Sequence, residues 1–402
     1  MIEQNVFFFE KLCNRTNYFQ FIENYLKVNH IFKKDFLNDT GINAGTYRTF
    51  LRTMNKNSDY YYEVISKYKN IYLPDEERIQ ELNEEYTNYF YDLLYLKFDK
   101  LKEDLVRIEA YLHPNVETME ELAFLLLHTI IRFSFGEYDY QEQEEILGGV
   151  ISKIEPYEEF LTDEFNVLYH ILKFNKGVLE HGNVIYLGNQ LRQMCRNIEV
   201  LNGFVLNQVS VSMYQCGDYL NAILYGNEAC DSFYKQNNYI RLIYTKSNLA
   251  HYYLLADDYY RAYQAFRELS YLDELLTARS SQIIKIGIFE SLVFMGEYEL
   301  AYKEYYKNDL AGLKRTTTDM VLLYVCYKLE KREQFLALYQ SFQELWDTQQ
   351  LYEPYYHIIE AIYDRFCGTI RLKQNEKALE MITRLKNKSE KKLFYTFCNE
   401  KQ

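Results

Sequence analysis

The chain has 402 residues, 48% of them hydrophobic, with only 4 prolines and 15 glycines and a formal net charge of −13. That apolar content is ample for a large buried core, and so few chain breakers point to an all-α protein. No stretch approaches 18 consecutive apolar residues, which excludes a membrane-spanning helix, and Phe7-Phe8-Phe9, followed by Glu10 and Lys11, is too short for a leader core.

In chain order, residues 1–29 read as helical, with apolar positions at Phe19, Ile22 and Leu26. From Ile31 to Asn57 the pattern changes. A short helix from Lys33 to about Asp39 buries Phe36 and Leu37, Gly41 makes the turn, Ile42 enters the core and Asn43 caps a second helix, Ala44 to Met54. That helix buries Tyr47, Phe50 and Leu51 and exposes Thr46, Arg48, Thr49 and Arg52. The arrangement resembles the helix-turn-helix of bacterial DNA-binding regulators. Short polar side chains suit base edges, and arginines suit guanine or phosphate. The candidate DNA contacts are Lys33, Lys34, Asn43, Thr46, Arg48, Thr49 and Arg52. Leu37 and Tyr47 depart from the usual motif residues, and Gly45 costs the second helix roughly 1 kcal/mol against alanine. The bland alternative is a plain three-helix cap on a helical stack, with these residues as its solvated face.

Residues 58–72 are tyrosine-rich and read as a further helix. Leu73-Pro74-Asp75 marks the expected domain boundary, between a helix-turn-helix domain over 1–72 and a repeat domain over 73–402. The first 72 residues carry 10 Lys+Arg and 7 Asp+Glu, a net of +3; the other 330 carry 35 and 51, a net of −16. Only the head could approach a polyanion, and +3 is no polybasic tract. Residues 75–112 give two amphipathic helices, broken at His113-Pro114. From Val116 helical pairs continue, and Asn387 to Gln402 is a capping helix or a frayed tail.

The clearest pair runs from Asn207 to Asn237. An apolar helix ends at Gly217-Asp218-Tyr219, and Ala222 lets the next helix lie close against the first. Asp257-Asp258-Tyr259 precedes Ala262, and Gly296-Glu297-Tyr298 precedes Ala301. Weaker copies place alanines at 337 and 378, giving steps of 40, 39, 36 and 41 residues; Gly136-Glu137-Tyr138 and Asn175-Lys176-Gly177 continue the series upstream. The pattern resembles tetratricopeptide repeats, which stack because one repeat cannot bury its own apolar face. The fold expected is therefore an N-terminal helix-turn-helix followed by a right-handed tetratricopeptide-like superhelix, with the 42 tyrosines and 26 phenylalanines filling space between helices.

In such repeats the first helix of each pair lines the concave face. The register puts Asn207, Val211 and Tyr214 there, then Tyr244, Ser247 and His251 with Asn248 at the edge, then Glu290; upstream, Asn166, His170 and Lys173 take similar places. Asparagine suits peptide capture, because its amide both donates to and accepts from a peptide unit. For each residue the plain reading is a helix-packing or solvated role, and His251 reads first as a satisfied interhelical histidine.

The 7 cysteines are scattered, with no CxxC pair, as expected of reduced thiols in a cytoplasmic protein. The 7 histidines form no HExxH, and no P-loop, GxGxxG, GxSxG or paired metal-ligand spacing occurs. No enzyme activity, catalytic residue, cofactor or metal is expected. A helix-turn-helix head on seven to eight helical pairs resembles the peptide-sensing regulators of Gram-positive bacteria, the Rap, Rgg, PlcR and AimR type. The resemblance implies a cytoplasmic transcription regulator, usually a homodimer, that binds double-stranded DNA and a short signalling peptide held in the concave groove. The alternative is a protein-binding scaffold or inhibitor without DNA contact.

Overall fold

The computed structural model describes residues 6–53, 64, 74–136, 138–180, 182–272, 278–313, 315–369, 371–385 and 388–399. Among the described residues there are α-helices, two short 3-10 turns and no strand. Apart from Val64, the helix expected over 58–72 lies outside them. The chain forms two compact units. The first takes in the described residues up to Cys216 together with Glu228–Leu242; the second takes in Gly217–Asn227 and the described residues from Ile243 onward.

Helices α1 (Phe9–Leu12), α2 (Arg15–Val28), α3 (Lys33–Thr40) and α4 (Ala44–Thr53) come first. The Phe7-Phe8-Phe9 run contributes to the core of the first unit. The Phe7 ring centroid lies 4.6 Å from Tyr86 and 5.2 Å from Phe90, and Phe9 lies 5.2 Å from Phe165. The Phe9 N–H donates to Asn83 Oδ1 at 2.6 Å. Farther on, Phe21 of α2 stacks on Tyr157 at 4.9 Å, and Asn24 donates to the Pro156 carbonyl. Both α1 and α2 thus pack against residues beyond position 72.

The body is a run of antiparallel pairs. In the first unit α5 (Glu76–Leu94) pairs with α6 (Phe98–Glu109), α7 (Met119–Ser134) with α8 (Tyr140–Ile154), and α9 (Asp163–Leu179) with α10 (Val184–Cys195); α11 (Glu199–Gln215) follows. Helices α12 (Tyr219–Lys235) and α13 (Tyr239–Leu255) each divide between the two units. The second unit continues with α14 (Tyr259–Ser270), α15 (Ala278–Phe294), α16 (Tyr298–Lys307), α17 (Thr316–Lys328), α18 (Arg332–Asp347), α19 (Glu353–Phe366), α20 (Leu372–Thr383) and α21 (Lys388–Asn399). Within each unit, first helices stack on first helices: α5 on α7 and α7 on α9, then α15 on α17 and α17 on α19.

The turns share one device. Gly296 has φ +76°, and the Glu297 N–H donates to the Leu292 carbonyl at 2.9 Å, so the last carbonyls of α15 are satisfied. The same bond joins Lys97 to Asp92, Asp258 to Tyr253 and Lys331 to Cys326, but the left-handed residue there is Leu96, Asp257 or Glu330. Five residues beyond Leu96, Gly217, Asp257, Gly296 and Glu330 comes a fully buried side chain: Leu101, Ala222, Ala262, Ala301 and Phe335. This corrects one repeat assignment. Ala337 is exposed, and Phe335 holds the packing position.

Two close approaches fix the packing inside the units. In the second, a Cβ on Gly287 would meet the buried Phe266 ring at 2.4–2.6 Å, so α15 lies against α14 only because position 287 has no side chain. Gly287→Ala should cost about 1–3 kcal/mol by overpacking, read as a lower midpoint in urea with unchanged far-ultraviolet dichroism; an unchanged midpoint would show that Phe266 is free to move. In the first unit, buried Arg241 donates through Nε to the Leu94 carbonyl at 2.9 Å and through Nη2 to the Leu93 carbonyl at 2.6 Å. Asn238 Nδ2 also donates to Leu94 O, at 3.2 Å.

Candidate functional site

The head is built by local chemistry. Helix α3 ends at Gly41 with φ +67°, Ile42 is buried, and Asn43 Oδ1 accepts from the Gly45 N–H at 2.8 Å to cap α4. Phe36 and Tyr47, both fully buried, meet edge to face at 5.8 Å and hold the two helices together. Lys34, Asn43, Thr46, Arg48 and Thr49 are exposed. Lys33, Lys34, Asn43 and Arg48 converge on a cavity of about 450 Å³. Lys33 is already engaged: its Nζ lies 2.7 Å from Glu23 Oε1 and 4.7 Å above the Tyr47 ring, and the Tyr47 hydroxyl donates to the same carboxylate at 2.8 Å. Burial, then the Glu23 charge, raises the Tyr47 phenol. The Arg52 side chain lies outside the described residues.

In the first unit, Asn166 and His170 sit one turn apart on α9. His170 Nδ1 is 3.0 Å from the Asn166 carbonyl, and its Nε2 is 3.9 Å from Glu158, which also pairs with Lys173 at 3.0 Å. Burial lowers the His170 pKa and so favours the neutral ring. Asn166 Oδ1 is buried without a hydrogen-bond partner among the described residues. His170 and Lys173 border a cavity of about 230 Å³ between α9 and α10. On α11, Tyr214 is half-buried and Asn207 only 3% exposed, so the Asn207 amide is a core group. A larger cavity, about 810 Å³, was not anticipated. It lies among α10, α11 and the end of α12, where Arg192, Arg196 and Lys235 face Glu199, Glu228 and Asp231. Its charges alternate in sequence with packing residues, so no local run marks it.

In the second unit, Tyr244 is exposed and Ser247, Asn248 and His251 are half-buried on α13. His251 Nδ1 lies 2.9 Å from the Ser247 carbonyl, and its ring meets Phe266 edge-on at 4.9 Å. Burial lowers its pKa, and Arg315 lowers it further. Glu290 of α15 is 8% exposed. Burial pushes its pKa up to about 7; Arg315 opposes the rise and Glu390 adds to it. Arg315, at the start of α17, places Nη2 3.1 Å from Glu390 Oε1, and Tyr355 of α19 donates to Glu390 Oε2 at 3.3 Å. Arg315, whose charge acts on both His251 and Glu290, is a residue that the repeat register missed, as are its partner Glu390 and Tyr355.

Glu390 belongs to α21, the segment read as a cap or a frayed tail. It is neither frayed nor confined to the last pair. Lys392 donates to the Leu254 and Leu255 carbonyls of α13 at 3.1 and 2.9 Å and pairs with Asp257 at 2.7 Å. Phe397 stacks on Tyr324 of α17 at 3.7 Å. Leu393, Phe394 and Phe397 share one core with Ala262 and Ala301. The alternation of Lys392 with Leu393 and Phe394 marks an amphipathic helix in the sequence, but not the first helices it reaches.

No family model and no curated protein matches the sequence. Solved structures do. The crystal structure of the apo form of RapI aligns with TM-score 0.58 at 14% identity, over 75% of this chain and 86% of that one. The apo form of the quorum sensor NprR from B. thuringiensis aligns at 0.55 and 13%, over 79% and 98%. A Rap protein complexed with Competence and Sporulation Factor aligns at 0.50 and 12%, over 79% and 96%. This chain has the helical-repeat fold of the Rap and NprR proteins. At these identities the likeness is one of fold. Among the described residues, no helix is long and apolar enough to cross a membrane, and no group of three or more His, Cys, Asp or Glu could hold a metal ion.

Proposed function

We propose that the chain is a peptide-responsive DNA-binding regulator without enzyme activity. A short linear peptide binds the first helices of the repeats, and the response reaches duplex DNA through α3 and α4, within residues 1–72. The supporting observation is the pairing of two features in one chain. Two short helices joined at Gly41, the second capped by Asn43, leave Thr46, Arg48 and Thr49 exposed, and they precede the repeat fold of a quorum sensor, NprR, and of a Rap protein crystallised with Competence and Sporulation Factor. The working form is a cytoplasmic homodimer.

Gel shift on DNA from upstream of the chain's own gene tests the head. Arg48→Ala should either lower affinity at all sequences and flatten the log-affinity against log-salt slope by about 1, as for a phosphate contact, or cost about 1–3 kcal/mol at one base pair. No shift at low salt, with or without peptide, favours the scaffold reading. The internal ion pair of Lys33 with Glu23 also supports that reading, since it engages one of the nominated DNA contacts within the head. On the repeats, Asn248 is the better probe, because it is half-buried where Asn207 is buried. Asn248→Ala should weaken peptide binding about tenfold in calorimetry, the loss of one to two hydrogen bonds at roughly 1 kcal/mol each. Equal affinity would remove this face from the site.

A further inference from the structure

The strongest unassigned feature is a cavity of about 550 Å³ between α5 and α6. Most of the polar groups around it are already matched. Arg78 pairs with Glu81 at 2.7 Å and donates to the Tyr111 hydroxyl at 2.8 Å. Glu85 accepts from Tyr89 at 2.5 Å and from Tyr111 at 2.6 Å. Gln80 donates to Glu84 at 3.3 Å, and Lys100 pairs with Asp92. Three lining residues stand out: Asp104 and Arg107 of α6 and Asn88 of α5. Asp104 is only 1% exposed, and its Oδ2 has no hydrogen-bond partner among the described residues. Burial, then the charge of Asp92, pushes its carboxyl up to about 6, and Asp92 offers it a second acceptor rather than a donor. An ionised carboxylate buried with an unmet oxygen is costly, so the group calls for a donor. Arg107 and Asn88 are exposed, and their side chains form no ion pair or hydrogen bond among the described residues. The Arg107 charge acts on Asp104 and, with Lys100, opposes the rise of its carboxyl.

We propose that this cavity binds a free α-amino acid, its ammonium on Asp104 and its carboxylate on Arg107, with the Asn88 amide as a further contact. Residues three apart on a helix surface stand about 5–6 Å apart at Cβ. An acceptor at 104 and a donor at 107 therefore match the adjoining charges of one amino acid, not the distant termini of a peptide. The ammonium supplies the donors that Asp104 lacks, and a guanidinium takes a carboxylate through two parallel bonds. Asn88 both donates and accepts, so it serves either end. The volume lies within the range of small-molecule pockets. An amine alone would leave Arg107 unmatched, and an acid alone would bring a like charge to Asp104, so the pair selects the zwitterion. The site uses none of the residues nominated for the peptide and stands apart from that reading.

The test is a thermal-shift screen of the full chain at neutral pH against the free α-amino acids, one at a time. Each is run beside the matching amine without a carboxylate and the matching acid without an amine, as ethylamine and propionate flank alanine. At least one amino acid should raise the unfolding midpoint in a concentration-dependent way, and neither of its halves should. Calorimetry with that amino acid should then give a Kd about tenfold higher for Arg107→Gln and for Asp104→Asn than for wild type. Arg107 is exposed, so its replacement reports ligand contact without a folding defect, and Asp104→Asn keeps the shape while removing the charge. If no amino acid shifts wild type, or the amine alone matches it, the cavity is no zwitterion site. If either folded variant binds as wild type does, the assigned contact is wrong, and Asp104 is met instead by a proton held with Asp92.

Discussion

Glu290→Gln should make the protein more stable than wild type at pH 8 by about 3 kcal/mol, and nearly equal to it at pH 4.5. The folded protein holds the Glu290 carboxyl to about 7, against an ordinary value of 4.5, chiefly because the site is buried. Between those values the folded chain binds more protons than the unfolded one, so stability falls as pH rises through this interval and levels off above it. At about 1.4 kcal/mol per pH unit, the interval from 4.5 to about 7 amounts to about 3 kcal/mol. Glutamine does not titrate and fills the same space. Other carboxyls contribute slopes of their own. Asp104 is held up to about 6 by burial and then by Asp92, but it contributes alike to both proteins and cancels in the difference. Urea titrations of both chains at pH 5, 6, 7 and 8 give the measurement. Parallel stability curves would mean that Glu290 titrates normally, with its charge met in the folded state.

What was legible in the sequence was local. Gly41, Ile42 and Asn43 encode a turn, a core anchor and a cap within three residues, and each takes that role. Ala222, Ala262 and Ala301 follow turns that glycine or paired aspartates announce, and all three are fully buried. The register slipped at Ala337 because Glu330, a residue with no turn signature, carries the positive φ there. Propensity cannot mark such a position: tertiary packing compels the conformation against a cost of about 1–2 kcal/mol.

The candidate site was legible only in part, because its charges meet across long stretches of chain. His251 and Glu290 follow from repeat register. Arg315 and Glu390 are separated by 75 residues, and Lys392 reaches carbonyls more than 130 residues away. Periodicity assigns each residue to a face but not to a partner. The same limit hid Glu23 as the partner of Lys33, which turns a nominated DNA contact into part of the head's own packing.

Arg241→Ala should destabilise the first unit by about 3–5 kcal/mol. The side chain is 4% exposed, and its guanidinium, 5.4 Å from the Phe204 ring, spans the end of α5. The Leu93 carbonyl there accepts from the Leu96 N–H at 3.2 Å, and the Leu94 carbonyl meets no described backbone N–H. Arg241 satisfies both, at 2.6 and 2.9 Å, and places its charge at the negative end of the helix dipole. Truncation removes two charge-assisted bonds, each worth about 1.5–3 kcal/mol. Asn238 moderates the loss, since its Nδ2 keeps one bond to Leu94 O and its Oδ1 accepts from the Arg241 backbone N–H. Arg241→Lys should fall between, because an ammonium is a point donor and cannot span two carbonyls as the planar fork does. Asn238→Ala alone should cost about 1 kcal/mol, and the double variant should depart from additivity because both side chains share Leu94 O. Urea denaturation of the four proteins, with amide exchange followed at the end of α5, closes the cycle. An Arg241→Ala protein within about 1 kcal/mol of wild type would mean that water caps α5 without it, and that the 147-residue contact does not hold the first unit together.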